Sequence, residues 1–179
     1  LAPAAGDVAP DFTVSDLETG EPVSLSSLRG KWVVIEAGSS TCSMYTKNIP
    51  GMESLCAEHP DVEFLVIYVR EAHPGERLHQ HKNFNEKVSA ARLLKPRYNE
   101  NRRVLVDSHA GDFHRVYGMK PNFIYVIRPD GTVHYRCDWA LVDGLKEALG
   151  NRDILHKQEH ADMGKLRATR GMGIAIRTM

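Results

Sequence analysis

Several apolar runs punctuate the chain, and their lengths and spacing predict its elements. Trp32-Val33-Val34-Ile35 and Phe64-Leu65-Val66-Ile67-Tyr68-Val69 are nearly unbroken by polar residues, the pattern of strands buried on both faces. Val104-Leu105-Val106 repeats it in shorter form. Phe123 to Ile127 and Thr132 to Tyr135 straddle Pro129-Asp130-Gly131, a hairpin signal, because each turn residue supplies a backbone angle that strand residues avoid. At the start, Asp11 to Val14 and Pro22 to Leu25 flank Glu18-Thr19-Gly20-Glu21 and predict a short β-hairpin. Helices are expected from about Ser43, bent near Pro50-Gly51, then from Glu86 to Leu94 with a stop before Pro96. Two more are expected over Asp112 to Tyr117 and Val142 to Leu149.

A hairpin, then alternating strands and helices, then a second hairpin and a helix, implies parallel crossovers in the middle of a sheet with antiparallel strands at its end. That is the thioredoxin fold: an α/β domain with a mixed central sheet, helices on both faces and an N-terminal β-hairpin. Residues 1–10, rich in small residues and proline, read as an arm, 11–150 as the domain, and 151–179 as a polar, partly helical tail. The 179 residues suit one domain. Lys+Arg and Asp+Glu both number 23, which argues against a general nucleic-acid binder. No run approaches the ~20 apolar residues of a membrane span. A soluble chain is expected, with the cytoplasm favoured; Leu1 rather than Met opens it, so an upstream signal or anchor stays open.

Three cysteines do not make a disulfide framework. Cys42 follows a buried strand through Gly38-Ser39-Ser40-Thr41 and precedes a helix. Backbone N–H groups at a helix N-terminus favour an anion, so Cys42 is expected to have a lowered thiol pKa and to act as a nucleophile. Ser39, Ser40 and Thr41 add hydroxyls able to hold a thiolate or a substrate oxygen. Position 45 is Tyr, so no Cys-x-x-Cys pair exists; Cys56 lies about 21 Å further along a straight helix, and it and Cys137 read as inert. His73 and His81 flank a loop at the C-terminal end of the second buried strand, where open α/β sheets bind ligands. Either could move a proton, with Glu71 orienting it. His79 and His81 lack a convincing third metal ligand, so no metal and no cofactor are expected. Pro121 falls where thioredoxin folds carry a cis-proline facing the cysteine, an expectation by fold analogy.

Gly38-Ser39-Ser40-Thr41-Cys42 resembles the Gly-Ser-Cys-Thr-selenocysteine site of the iodothyronine deiodinases. Phe64 to Pro74, with Tyr68, Glu71, Ala72 and His73, is similar to their strand ending in Tyr-Ile-Glu-Glu-Ala-His. Gln80-His81 followed by Val88-Ser89-Ala90-Ala91-Arg92 continues the likeness, as do Val104 to Asp107 and Tyr125 to Ile127. The resemblance spans about Trp32 to Tyr135. It implies that Cys42 takes the selenocysteine position, bordered by Ser39 and Thr41, and that Tyr68, Glu71, His73 and His81 handle substrate or deliver a proton. It also implies reductive dehalogenation of an iodinated aromatic, with Cys42 regenerated by an external thiol such as thioredoxin or glutathione. Sulfur for selenium, Ser40 for a nearby cysteine, and Asn122 for a glutamate are departures. The start, Ala9-Pro10-Asp11-Phe12 and Leu25 to Lys31, resembles peroxiredoxins. A thiol peroxidase or thiol-disulfide oxidoreductase acting on peroxide or disulfide is therefore one alternative. A non-catalytic thioredoxin-fold binding module is another, and homodimerisation stays open.

Overall fold

A computed structural model describes residues 1–153 and 157–159. Strands β1 (Thr13–Asp16) and β2 (Pro22–Ser24) form the first hairpin, which a 3-10 turn over Leu25–Leu28 follows. Then come β3 (Trp32–Gly38), α1 (Ser43–Glu58), β4 (Val62–Tyr68), α2 (Phe84–Arg92), α3 (Leu94–Tyr98) and β5 (Arg103–Val106). The chain continues through α4 (Asp112–Tyr117), β6 (Ile124–Ile127), β7 (Val133–Cys137), α5 (Val142–Gly150) and β8 (Lys157–Glu159). The sheet order is β2-β1-β5-β4-β3-β6-β7-β8. β3, β4 and β5 run parallel, and β6 runs antiparallel to both of its neighbours, β3 and β7. This is the thioredoxin fold with an added hairpin. Of the tail, residues 157–159 pair parallel to β7 instead of forming helix; a helix elsewhere in 154–179 lies outside the described residues. Residues 1–10 run beside the second hairpin, with Gly6 N–H on Val133 O at 2.8 Å and Ala9 N–H on Gly131 O at 2.9 Å.

Alternation along the strands builds two cores. Val33, Ile35, Leu65, Ile67 and Leu105 face the 3-10 turn and α4 with Phe12, Phe113 and Tyr117. Val34, Phe64, Val66, Tyr68 and Val106 face α1, α2, α3 and α5. Burial on both faces removes the polar alternation of a surface strand, which is why these runs were continuous in the sequence. α1 runs through Pro50 as one helix, and Gly51 lets it approach α5, since a Cβ there would meet Val142 at 2.8 Å. Pro96 does not stop helical structure: it sits in the first turn of α3, where its missing N–H has no helical partner to lose. α2 begins two residues earlier than expected because Asn83 Oδ1 accepts the Glu86 N–H at 2.9 Å and caps it.

The registers set the functional edge. Gly38 pairs with Tyr68 and Tyr68 with Val106, so β3, β4 and β5 end level with one another. β6 starts at the same edge, where Phe123 O accepts the Ala37 N–H at 3.0 Å.

Glu36 lies in the middle of β3 and is fully buried. Arg102 meets it at 2.7 Å and meets Glu100 at 2.8 Å. Tyr45 OH donates to Glu100 at 2.7 Å, and Asn122 Nδ2 donates to Glu36 at 3.0 Å. Arg102→Met leaves two buried carboxylates without their cation, which costs about 3–5 kcal/mol when a buried pair loses one partner. Urea unfolding should show a loss of that size. A loss within the ~0–1 kcal/mol of an exposed pair would show that water compensates these charges.

Candidate active site

Two loops meet at this edge. One carries Ser39 to Cys42 after β3; the other carries Glu71 to His81 after β4. Backbone and hydroxyl hydrogen bonds stitch them together. Ser39 Oγ accepts the Ala72 N–H at 3.2 Å, and Thr41 Oγ1 accepts the His73 N–H at 3.1 Å. Gly38 makes room for this: a Cβ on it would lie 2.4 Å from the Tyr45 ring.

Glu71 is the hub. Its Oε2 accepts from Thr41 Oγ1 at 2.6 Å and from Thr41 N–H at 3.1 Å, while its Oε1 accepts from Tyr68 OH. Tyr68 OH in turn accepts the Ser40 N–H at 3.1 Å. His81 Nε2 stands 3.5 Å from Glu71 Oε1, an ion-pairing distance, but it makes no hydrogen bond among the described residues. The Tyr68 and His81 ring centroids are 6.1 Å apart. Gln80 fixes the backbone of Glu71 by accepting its N–H at 3.0 Å and donating to its O at 3.3 Å. Burial alone would raise the Glu71 carboxyl. His81, Thr41 and Tyr68 outweigh it and hold the group below its ordinary value, so it is a carboxylate at neutral pH.

Cys42 is the N-cap of α1 and is 3% exposed. Its thiol is pushed up, not down. Burial is the largest cause; the Met44 and Tyr45 amides act against it, and the negative Glu36 and Glu71 add to it. The sequence predicts the opposite because helix position is visible there and desolvation by a folded loop is not. Pro121 also departs from expectation. No peptide bond among the described residues is cis; the chain turns instead through Gly118 and Met119, both at positive φ, with Lys120 O held by His114 Nε2 at 2.7 Å. Asn122 after it is fully buried and donates to Ala37 O at 2.8 Å.

The structure thus joins Thr41, Tyr68 and Glu71 by hydrogen bonds, sets His81 at ion-pairing distance from Glu71, and ties Ser39 to the same loop through Ala72. His73 joins by its backbone only; the residue is exposed and, with Ser40, Thr41, Arg77, Leu78 and Tyr98, lines an open cavity of about 580 Å³. Tyr98, whose OH donates to Ser40 O at 3.2 Å, and Gln80 were missed by sequence reasoning. Tyr98 carries no local signal, being near Ser40 only in three dimensions. Gln80 sits beside His81 and could have been considered with it. Among the described residues, no group of three or more His, Cys, Asp or Glu is arranged to hold a metal.

The iodothyronine deiodinase family model matches residues 3–140, an interval containing every residue of this cluster. The chain belongs to the iodothyronine deiodinase family. Thyroxine 5-deiodinase of Sus scrofa is 32% identical over 114 residues, which cover 58% of this chain and 37% of that protein. The Ovis aries protein of the same name is 30% identical over 58% of this chain and 38% of its own length. The chain therefore matches little more than a third of these relatives. Among solved structures, a putative thiol:disulfide interchange protein DsbE from Chlorobium tepidum superposes with TM-score 0.65 at 21% identity, covering 83% of this chain and 96% of that one. A secreted Mycobacterium tuberculosis disulfide oxidoreductase homologous to E. coli DsbE gives 0.60 at 23% identity, over 78% and 94%. These two establish the fold.

A thiol raised by burial keeps its proton at neutral pH and yields thiolate only as pH climbs beyond the ~8.5 of a free cysteine. Alkylation of Cys42 by iodoacetamide, followed by peptide mass mapping, should keep rising above that pH, with no plateau near 7. In Glu71→Gln, which removes a negative neighbour, the profile should move to lower pH.

Proposed function

We propose that this family member is a thiol-dependent oxidoreductase that removes iodine reductively from iodinated aromatics through Cys42. The observation carrying this reading is the proton-handling cluster of His81, Glu71, Tyr68 and Thr41 beside a protonated, buried thiol. Reductive deiodination by a thiol needs a group that takes a proton from sulfur and a group that gives one to carbon. Cys42 Sγ loses its proton to the cluster and attacks iodine. The carbon–iodine bond breaks, its electron pair stays on the ring carbon, and that carbon takes a proton. The products are the dehalogenated ring and a sulfenyl iodide on Cys42. The net proton count over this step is zero, so a closed relay suffices.

His81 is the proton donor in this reading, because it is buried against Glu71, and Glu71 orients it. Tyr68 and Thr41 hold Glu71, and Ser39 holds the second loop. His73 is a second candidate donor at the open cavity. An external thiol, of the thioredoxin or glutathione type, then displaces iodide to give a mixed disulfide, and a second thiol releases Cys42 and a disulfide. Tyr45 in place of a second cysteine supports an external reductant. No helix among the described residues is long and apolar enough to cross a membrane.

The test is a single turnover without reductant, against an iodinated phenol and separately against hydrogen peroxide. We expect about one equivalent of dehalogenated ring per Cys42, with iodide released once thiol is added, and neither from Cys42→Ser. His81→Ala should slow iodide release by the ~10²–10⁴-fold typical of a lost general acid while Cys42 alkylation is retained. Sulfenic acid from peroxide without iodide release would move the protein to the peroxidase class. Reaction with neither would leave a binding module.

A further inference from the structure

A second cavity of about 290 Å³ has His81 in its lining and shares no lining residue with the cavity at His73. Arg70, His81, Lys87, His109, His114 and Arg115 line it, with no Asp or Glu among the described lining residues. They converge from four places in the chain: the end of β4, the loop before α2, α2 itself, and the β5–α4 connection with α4. His81, Lys87 and His114 form a buried floor, while Arg70, His109 and Arg115 stand exposed at the rim.

The charges here are unevenly committed. Lys87 is 1% exposed and donates to Ser108 O at 2.8 Å, leaving two ammonium hydrogens beyond that bond. Arg70 makes no hydrogen bond or ion pair among the described residues, and it is near enough to His114 to act on it electrostatically. Arg115 spends one N–H on Ala110 O. The nearest counter-charges are Asp107, Asp112 and Glu71. Asp107 accepts the N–H groups of Ser108, Phe113 and His114, Asp112 accepts from Ser108 Oγ, and Glu71 serves the active-site cluster. His114 gives its Nε2 hydrogen to Lys120 O and so supplies wall rather than charge. Cationic groups at a concave, partly desolvated wall focus positive potential, and guanidinium forks match oxyanions.

From this arrangement we infer that the cavity is an oxyanion site, built to hold a carboxylate or phosphate group next to His81. The site does not require Cys42 to dehalogenate anything; it stands on charge and shape. Its occupant is the acidic group of whichever molecule works at the neighbouring cluster, either an aromatic carrying an acid or an acidic thiol.

The experiment is an NMR titration of the full chain with inorganic phosphate, and in parallel with acetate, at ionic strength held constant by chloride. The backbone amides of Ala110 and Gly111, which line the cavity, are the readout. We expect saturable shifts that persist in Cys42→Ser. Arg70→Gln, which breaks no hydrogen bond or ion pair among the described residues, should weaken binding about tenfold, the scale of one lost charge-assisted hydrogen bond. Lys87→Met should abolish binding if it folds; Arg70→Gln decides the matter if it does not. Shifts that follow ionic strength alone, or saturable shifts unchanged in Arg70→Gln, overturn the site. With the site present, displacement of phosphate by an iodinated hydroxybenzoate assigns it to the aromatic, and displacement by glutathione assigns it to the reductant. A protein that binds phosphate and releases no iodide keeps the site and loses the dehalogenase reading. A protein that releases iodide without binding either anion does the reverse.

Discussion

The edge that carries the chemistry depends on keeping one carboxylate, that of Glu36, in the middle of the sheet. An ion taken out of water costs several kcal/mol even after relaxation, so the surroundings must answer it completely. Arg102 does so from the chain just before β5, and its other guanidinium nitrogens bind Glu100. Asn122 reaches Glu36 from the chain before β6, and Tyr45 reaches Glu100 from the first turns of α1. β3, α1, β5 and β6 are thereby tied at the point where Cys42 leaves the sheet. Burial pushes the Glu36 carboxyl up, with Arg102 opposing it, whereas Arg102 and Tyr45 overcome the burial of Glu100 and hold it low.

A second carboxylate, Glu71, organises the site above this network, and the two together set the state of the thiol. The dipole and amides at the start of α1 favour a thiolate by a few tenths to about 1 kcal/mol. They compete with the loss of water around sulfur and with two negative groups. Burial wins, and the thiol stays protonated. A resting protonated sulfur is slow to oxidise, since the thiolate is the reactive form. In the proposed reaction its activation would fall to groups that can take its proton at the moment of attack, and Glu71, kept ionised by Thr41, Tyr68 and His81, is a candidate.

How much of this was legible in the chain follows from what each feature rests on. The buried strands were visible because double-sided burial leaves an unbroken apolar run, and both hairpins because Gly20 and Pro129-Asp130-Gly131 are turn chemistry. Cys42, Glu71 and His81 were visible as a reactive type at an element end, supported by family resemblance. The helix edges failed where one side chain decides them, as Asn83 does for α2. The thiol state failed because desolvation is a property of the folded surroundings. Glu36 did leave a trace, a lone acid inside the run Trp32 to Ala37, and buried charges are paired; its partners Arg102, Glu100, Tyr45 and Asn122 are distant in sequence and could not be assigned from it.

Tyr45 connects the two levels. In a dithiol enzyme the third residue after the nucleophile is the resolving cysteine. Here that position is fully buried, its ring packs where a Cβ on Gly38 would fall, and its hydroxyl serves Glu100. The position has been given to the charge network that supports the site, so returning it to sulfur would cost the fold a ring contact and a hydrogen bond. The other thiols are no substitute. Cys137 is fully buried within the core under α1 and α5, with Cys56 packed against that cluster, whereas Cys42 belongs to the separate cluster beneath α2 and α3. All three are free. A sulfur oxidised at Cys42 has no internal thiol partner in this arrangement, which supports an external thiol in the proposed reaction. Since Cys42 is nearly covered, a thiol in the proposed reaction would have to come past the loops that Thr41 and Glu71 hold together, so that one link would bear both on the acid–base chemistry of the site and on access to it.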